Sequence, residues 1–285
     1  SPSKRDADLE YSRFAHRADA ARIEAIADRV LRWHRLDSLP ANARRVGIVL
    51  STYPGKLYQI AHAVGLDALA SCDAILADLK AAGFNTGPIG KALADRLLTE
   101  RISWPLADYL TALETLPASL RDDLYAAWGD PTNDPQISGN GVEFAALRAG
   151  NGLIALQPER GDVQQRDDDY HDLSRTPRHA YVAFYLWLRQ SCDALVHIGA
   201  HGTLEWLPGK SVALSDACWP EALIRDLPVI YPFIVNDPGE AAQAKRRIAA
   251  VTIGHLPPPL AKTNAPEGFG RLEHLLDEYS PADGL

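Results

Sequence analysis

The chain has 285 residues, 46% apolar and 23% charged, an ordinary globular balance with enough length for one large domain or two smaller ones. A net charge of −8 argues against general nucleic-acid binding, which needs surplus Lys and Arg, so any anionic ligand must meet a local basic patch. Three scattered cysteines, Cys72, Cys192 and Cys218, exclude a disulfide framework and a cysteine-rich zinc module, and no apolar run reaches the ~18 residues of a membrane span. Nothing at the amino terminus reads as a signal peptide, and the cysteine usage fits a soluble protein of a reducing cytoplasm. Methionine is absent, initiator included, which suggests a section excised from a longer chain.

Residues 17–36 place Ile23, Ile26, Val30 and Leu31 at helical spacing with Arg and Asp opposite, predicting an amphipathic helix. "VGIVLS" (46–51) is an unbroken apolar run of strand length, suited to a strand covered on both faces. "LDALASCDAILADLKAAG" (66–83) reads as an Ala-rich helix stopped by Gly83. Strand then helix is the first half of an α/β unit, and the loop between them leaves the strand's carboxyl end, where open α/β sheets bind ligands. Ser103 reads as the cap of a helix starting at Pro105, and a further helix, "PASLRDDLYAAW", ends at Gly129.

The turn-rich stretch 129–141 is the best internal boundary. Beyond it "VEFAALRAGNGLIALQP" reads as a hairpin turning on Gly150-Asn151-Gly152. A helix over 180–190, a strand over 194–199, and a strand–helix unit over 227–254 follow, with Asp237 and Glu240 forming a capping box around Pro238. The expected fold class is α/β, with mostly parallel sheet flanked by helices. A helical lead-in (1–40) precedes an α/β segment (41–130) and a core segment (131–285).

"LVHIGAHGTLEWLPGKS" (195–211) carries the chemistry. His197, His201 and Glu205 recur every four residues, but Gly199 and Gly202 argue against a helix, where such spacing would make the side chains neighbours. The pattern places His197 at a strand's end, His201 in the loop beyond, and Glu205 where the chain folds back. Two readings stay open: a core histidine with turn glycines, or a site. "PGKS" mimics the end of a phosphate loop, yet Leu204 stands where its first glycine belongs and Glu205 and Pro208 occupy the cradle, so this reads as no nucleotide site, and if ATP matters another subunit must bind it. "RDDDYHD" (166–172) clusters carboxylates around His171, either as a solvated loop or as ligands for a cation. "AKRR" is the clearest positive patch, with Lys245, Arg246 and Arg247 pointing to two sides of a helix.

At 197–260, through "HIGAHGTLEW" and "NDPGEAAQAKRR", the chain resembles the large subunits of cobaltochelatase and magnesium chelatase. The resemblance spans 44–280, is strongest from 150, and marks an internal section of a longer subunit. Trp206 and Phe233-Ile234-Val235 favour the cobalt branch. The resemblance implies ATP-dependent insertion of Co2+ into hydrogenobyrinic acid a,c-diamide in aerobic cobalamin biosynthesis, the large subunit holding tetrapyrrole and metal. An AAA+ ATPase subunit, which binds the ATP, and a third subunit complete such an enzyme.

The family's essential glutamate maps onto Glu205. From the chemistry, His201 is expected as ligand or relay and His197 as its orienter, with His201, Glu205 and His171 as the metal set. Lys245, Arg246, Lys210 and His179 are candidates for holding the substrate. The alternatives are a scaffold module without its own catalysis, and a magnesium-chelatase large subunit acting on protoporphyrin.

Overall fold

The computed structural model describes residues 8, 18–51, 62–63, 66–87, 93–161, 173–198, 203–234, 238–256, 271–272 and 275. In chain order the elements are α1 (Ala20–Ser38), β1 (Val46–Leu50), β2 (His62–Ala63), β3 (Leu66–Asp67), α2 (Ala68–Ala81), α3 (Leu93–Thr99), β4 (Ile102–Pro105), α4 (Leu106–Leu113) and α5 (Ala118–Trp128). There follow β5 (Ile137–Ser138), β6 (Gly141–Phe144), β7 (Ala146–Ala149), β8 (Gly152–Leu156), α6 (His179–Ser191), β9 (Ala194–Ile198), α7 (Trp219–Ile224), β10 (Val229–Ile234), α8 (Pro238–Arg247) and β11 (Val251–His255).

A six-stranded sheet ordered β11-β10-β9-β1-β8-β7 organises these elements. Five strands run parallel and β7 is antiparallel at one edge, joined to β8 by the expected hairpin. Gly150 turns that hairpin at φ 62°, where a Cβ would run into the Asn85 carbonyl. β1 shows why an unbroken apolar run suits this position. Val49 enters one core, with α4, α6 and α7, while Ile48 and Leu50 enter the other, with α2 and α3.

Helix α6 is buried on every side from His179 to Leu188, which fits its apolar circumference. Its first turn is anchored from the supposed boundary loop. Asp134 accepts from Arg178 Nε and Nη2, at 3.1 and 2.9 Å, and from the Ala180 N–H at 2.9 Å. The sheets also cross the expected division at 131, since β1 pairs with β8 and β9, and β4 with β6.

Two local expectations give way to tertiary contacts. Ser103 does not cap a helix; it lies in β4 opposite Glu143, and α4 begins after Pro105 without a side-chain cap. Helix α1 forms as predicted, but its apolar stripe faces outward: Ile23, Ile26, Val30 and Leu31 are 56–62% exposed. Arginines attach it instead. Arg22 and Arg29 share Glu221 at 2.9 and 3.0 Å, and Arg32 donates to the Cys192 carbonyl. Ile26→Glu is therefore expected to change stability by no more than about 0.5 kcal/mol in a thermal melt. A loss of several degrees in melting temperature would show the stripe packed. Asp237 of the expected capping box, and most of the helical pattern after 270, lie outside the described residues.

Candidate functional site

The parallel strands, taken along the chain, sit in the sheet as second, first, third, fourth, fifth. The connection after β1 leads to β8 on one side, and that after β9 leads to β10 on the other. Their carboxyl ends therefore flank the point where the winding reverses, the usual ligand crevice of an open α/β sheet.

Polar side chains gather at that point. Ser51, directly after β1, donates its N–H to the Ile198 carbonyl and holds its Oγ 3.5 Å from His197 Nδ1. His197 Nε2 lies 3.3 Å from the Tyr185 hydroxyl of α6. The Gln157 amide, just past β8, donates to the hydroxyls of Tyr185 and Tyr181 at 2.5 and 2.9 Å. Tyr181 in turn meets Thr203 Oγ1 at 2.7 Å. The ring of His197 stacks on Tyr231 of β10, 5.8 Å away and 19° from parallel. Tyr231 donates its hydroxyl to Glu205 Oε1 at 2.7 Å.

Glu205 sits in a 3-10 turn, Leu204–Trp206, and is 0% exposed. Arg247, itself buried, grips the backbone around it, donating to the carbonyls of Glu205 (2.6 Å), Leu207 (2.7 Å) and Lys210 (3.2 Å). Trp206 Nε1 donates to Glu240 of α8, 3.0 Å away. The "LEWLPGK" segment is thus held by α8 from outside and by Tyr231 from beneath.

Burial sets the protonation of this network. It pushes His197 down to about 4, so the imidazole is neutral. The Tyr181 and Tyr185 phenols are driven up by the same desolvation and stay protonated. A neutral imidazole between hydroxyls orients its neighbours and passes a proton without storing charge.

One consequence is measurable. Above pH 6.5 the His197 imidazole is neutral folded and unfolded. Between 6.5 and about 4 only the unfolded chain takes up the proton, so stability falls as pH falls through that window. His197→Asn is expected to flatten the change in urea midpoint between pH 7 and pH 5. An unchanged pH profile would refute a neutral His197.

The remaining expected residues separate. Lys245 and Arg246 are exposed on α8, and Lys210 is exposed beyond the 3-10 turn, so all three face solvent. His179 is wholly buried, with Nδ1 2.7 Å from the Tyr109 hydroxyl and Nε2 3.0 Å from the Gly129 carbonyl. Both its nitrogens are engaged by the protein, so the place expected for it in substrate binding is a packing position instead. His171 and His201 lie outside the described residues, and among the described residues no three metal-binding side chains converge. Sequence reasoning missed Ser51, Gln157, Tyr181, Tyr185 and Tyr231. For Ser51 and Gln157 the available signal was a polar residue just past an apolar strand, in "VGIVLS" and "LIALQ"; Tyr231 lies within β10, and Tyr181 and Tyr185 lie on α6.

Set beside known proteins, this arrangement has a clear class. The CobN/Magnesium Chelatase family model matches residues 3–285, and the chain belongs to that family. The aerobic cobaltochelatase subunit CobN of Pseudomonas aeruginosa is 42% identical over 94% of this chain, and its Sinorhizobium counterpart 38% over 98%. A magnesium-chelatase subunit of Rhodobacter capsulatus is 33% identical over 90%. The catalytic subunit of cobaltochelatase from Mycobacterium tuberculosis superposes with a TM-score of 0.76 at 38% identity, over 94% of this chain and 24% of that one. The chain spans about a quarter of these relatives' length, 23% of the two CobN proteins and 22% of the Rhodobacter capsulatus protein.

Proposed function

We propose that this chain is the metal- and tetrapyrrole-handling section of a cobaltochelatase large subunit. The reaction is ATP-dependent insertion of Co2+ into hydrogenobyrinic acid a,c-diamide in aerobic cobalamin biosynthesis, in the cytoplasm. The observation that carries the reading is Glu205, held by Tyr231 beside the neutral His197 where the sheet reverses. Higher identity to the cobalt relatives than to the magnesium one supports the metal.

Inserting a metal requires removing protons from ring nitrogens and replacing the ion's water. A carboxylate serves the first as base and the second as a transient ligand. Glu205 takes that role, His201 acts as ligand or relay, with His171 a further ligand candidate, and His197 orients them. Lys245, Arg246 and Lys210, free of the packing, are available to the substrate's carboxylates. The segment "LEWLPGKS" has no phosphate cradle, so ATP falls to an AAA+ partner subunit, with a third subunit completing the enzyme.

Complete burial of Glu205 and near-complete burial of His197 favour a second reading, in which this section is a scaffold and catalysis lies elsewhere in the subunit. Calorimetry of Co2+ with this chain and with Glu205→Ala separates the two, because equal and negligible heats would favour the scaffold. The choice of metal is tested by offering the complete enzyme a corrin precursor with Co2+ and protoporphyrin with Mg2+. Faster uptake by the corrin precursor is expected, and preference for the porphyrin would overturn the assignment.

A further inference from the structure

A cleft of about 170 Å3 lies at the opposite, amino-terminal edge of the sheet, where α6 ends and β10 is about to begin. Arg32 of α1, Thr115 after α4, Arg189 and Gln190 of α6, and Asp226 line it above a floor that includes Leu227. None of these residues takes part in the network around Glu205.

Its charge is unbalanced. Arg189 donates to the Ala222 carbonyl at 3.3 Å and Arg32 to the Cys192 carbonyl at 3.1 Å, and the Arg32 Nε is shielded from water without an acceptor. Neighbouring acids are engaged elsewhere: Glu221 by Arg22 and Arg29, Asp193 by Arg45. Among the described residues no carboxylate pairs with either guanidinium. Burial, then the like charges of Arg225 and Arg32, push Arg189 down to about 10, with Asp226 opposing them. Two guanidiniums thus line the cleft against one carboxylate, Asp226. A group kept charged under such conditions is stabilised by an anion that accepts from its fork.

We propose that this cleft binds a small multivalent oxyanion of the phosphate class, either free or as the end group of a larger ligand. Arg32 and Arg189 supply the charge and the planar donors, while the Gln190 amide offers a neutral hydrogen bond to a remaining oxygen. A monocarboxylate carries half the charge of a doubly ionised phosphate and brings fewer acceptor oxygens. The inference stands apart from the chelatase reading, because it uses other residues at the other edge of the sheet.

Isothermal titration of the 285-residue chain with inorganic phosphate, at constant ionic strength in chloride, tests it. Saturable binding at one site is expected. Arg189→Gln and, separately, Arg32→Gln weaken it about ten-fold or more, while Arg148→Gln, an exposed arginine elsewhere, leaves it unchanged. Arg32→Gln removes one donor to the Cys192 carbonyl and leaves the Arg22 and Arg29 attachments of α1 in place, so a folding defect of the Arg189 variant leaves the test intact. Glycerol phosphate in a parallel titration tells the sources apart: binding as tight as phosphate indicates an esterified ligand, weaker binding the free ion. Absence of saturable binding, undiminished wild-type affinity in both glutamine variants, or acetate binding as tightly as phosphate would overturn the proposal.

Discussion

Glu205→Gln is expected to lower metal insertion by the complete chelatase about 100-fold or more, while the chain's thermal melt stays where it was. The amide keeps an oxygen to accept the Tyr231 hydroxyl, so the packing under the 3-10 turn survives. What it loses is the negative charge and the basicity, and a positioned general base contributes on the order of 10²–10⁴ in rate. Glu205→Ala differs by design: it removes the Glu205 oxygen that accepts the Tyr231 hydroxyl and costs roughly 1–3 kcal/mol in addition. Comparing the two in the same assay separates the chemistry of the acid from its place in the core. Unaltered turnover in the glutamine variant would remove Glu205 from the mechanism.

Arg247→Met is expected to be the most destabilising single change in the segment, by about 3–5 kcal/mol in urea denaturation. The methionine fills much of the volume but leaves the carbonyls of Glu205, Leu207 and Lys210 without their donor. Arg247→Lys, with one ammonium in place of a fork, falls between the two. Because those carbonyls belong to the segment that carries Glu205, amide exchange over 204–210 speeds up as stability falls, and insertion activity falls with it. A stability loss below about 1 kcal/mol would show that the segment is held by something other than this arginine.

The last residue of "AKRR" illustrates what a sequence conceals. Charge runs on helices face solvent as a rule, and Lys245 and Arg246 follow it. Arg247 is the exception because the helix turns it toward the carbonyls of Glu205, Leu207 and Lys210, and a guanidinium can serve three of them at once. No spacing in the chain announces this. Helix α1 makes the converse point. Its periodicity predicts a helix correctly, yet periodicity reports only that one face is apolar, and here the arginine face found acceptors on the body.

Asp134 shows a third limit. Turn residues at 129–141 read as a boundary, but a carboxylate there folds back onto Arg178 and the first turn of α6, joining what composition separates. His179 follows the same logic: buried between Tyr109 and Gly129, it is a packing residue that shares its residue type with ligands.

Local pattern alone determined the parallel α/β class, the placement of His197 near the end of its strand and the β7–β8 hairpin. Each of these depends on neighbours along the chain, on alternation or on glycine's backbone freedom, and those are legible in one dimension. Only the tertiary structure decided the strand order that sets β1 beside β9, and with it the meeting of Ser51, His197, Tyr231 and Glu205. Those four come from three separate stretches of chain, since His197 and Glu205 share the 195–211 stretch, and the order in which parallel strands are laid down depends on how whole helices cover both faces of the sheet. That is a property of the folded layers, and no window of sequence contains it.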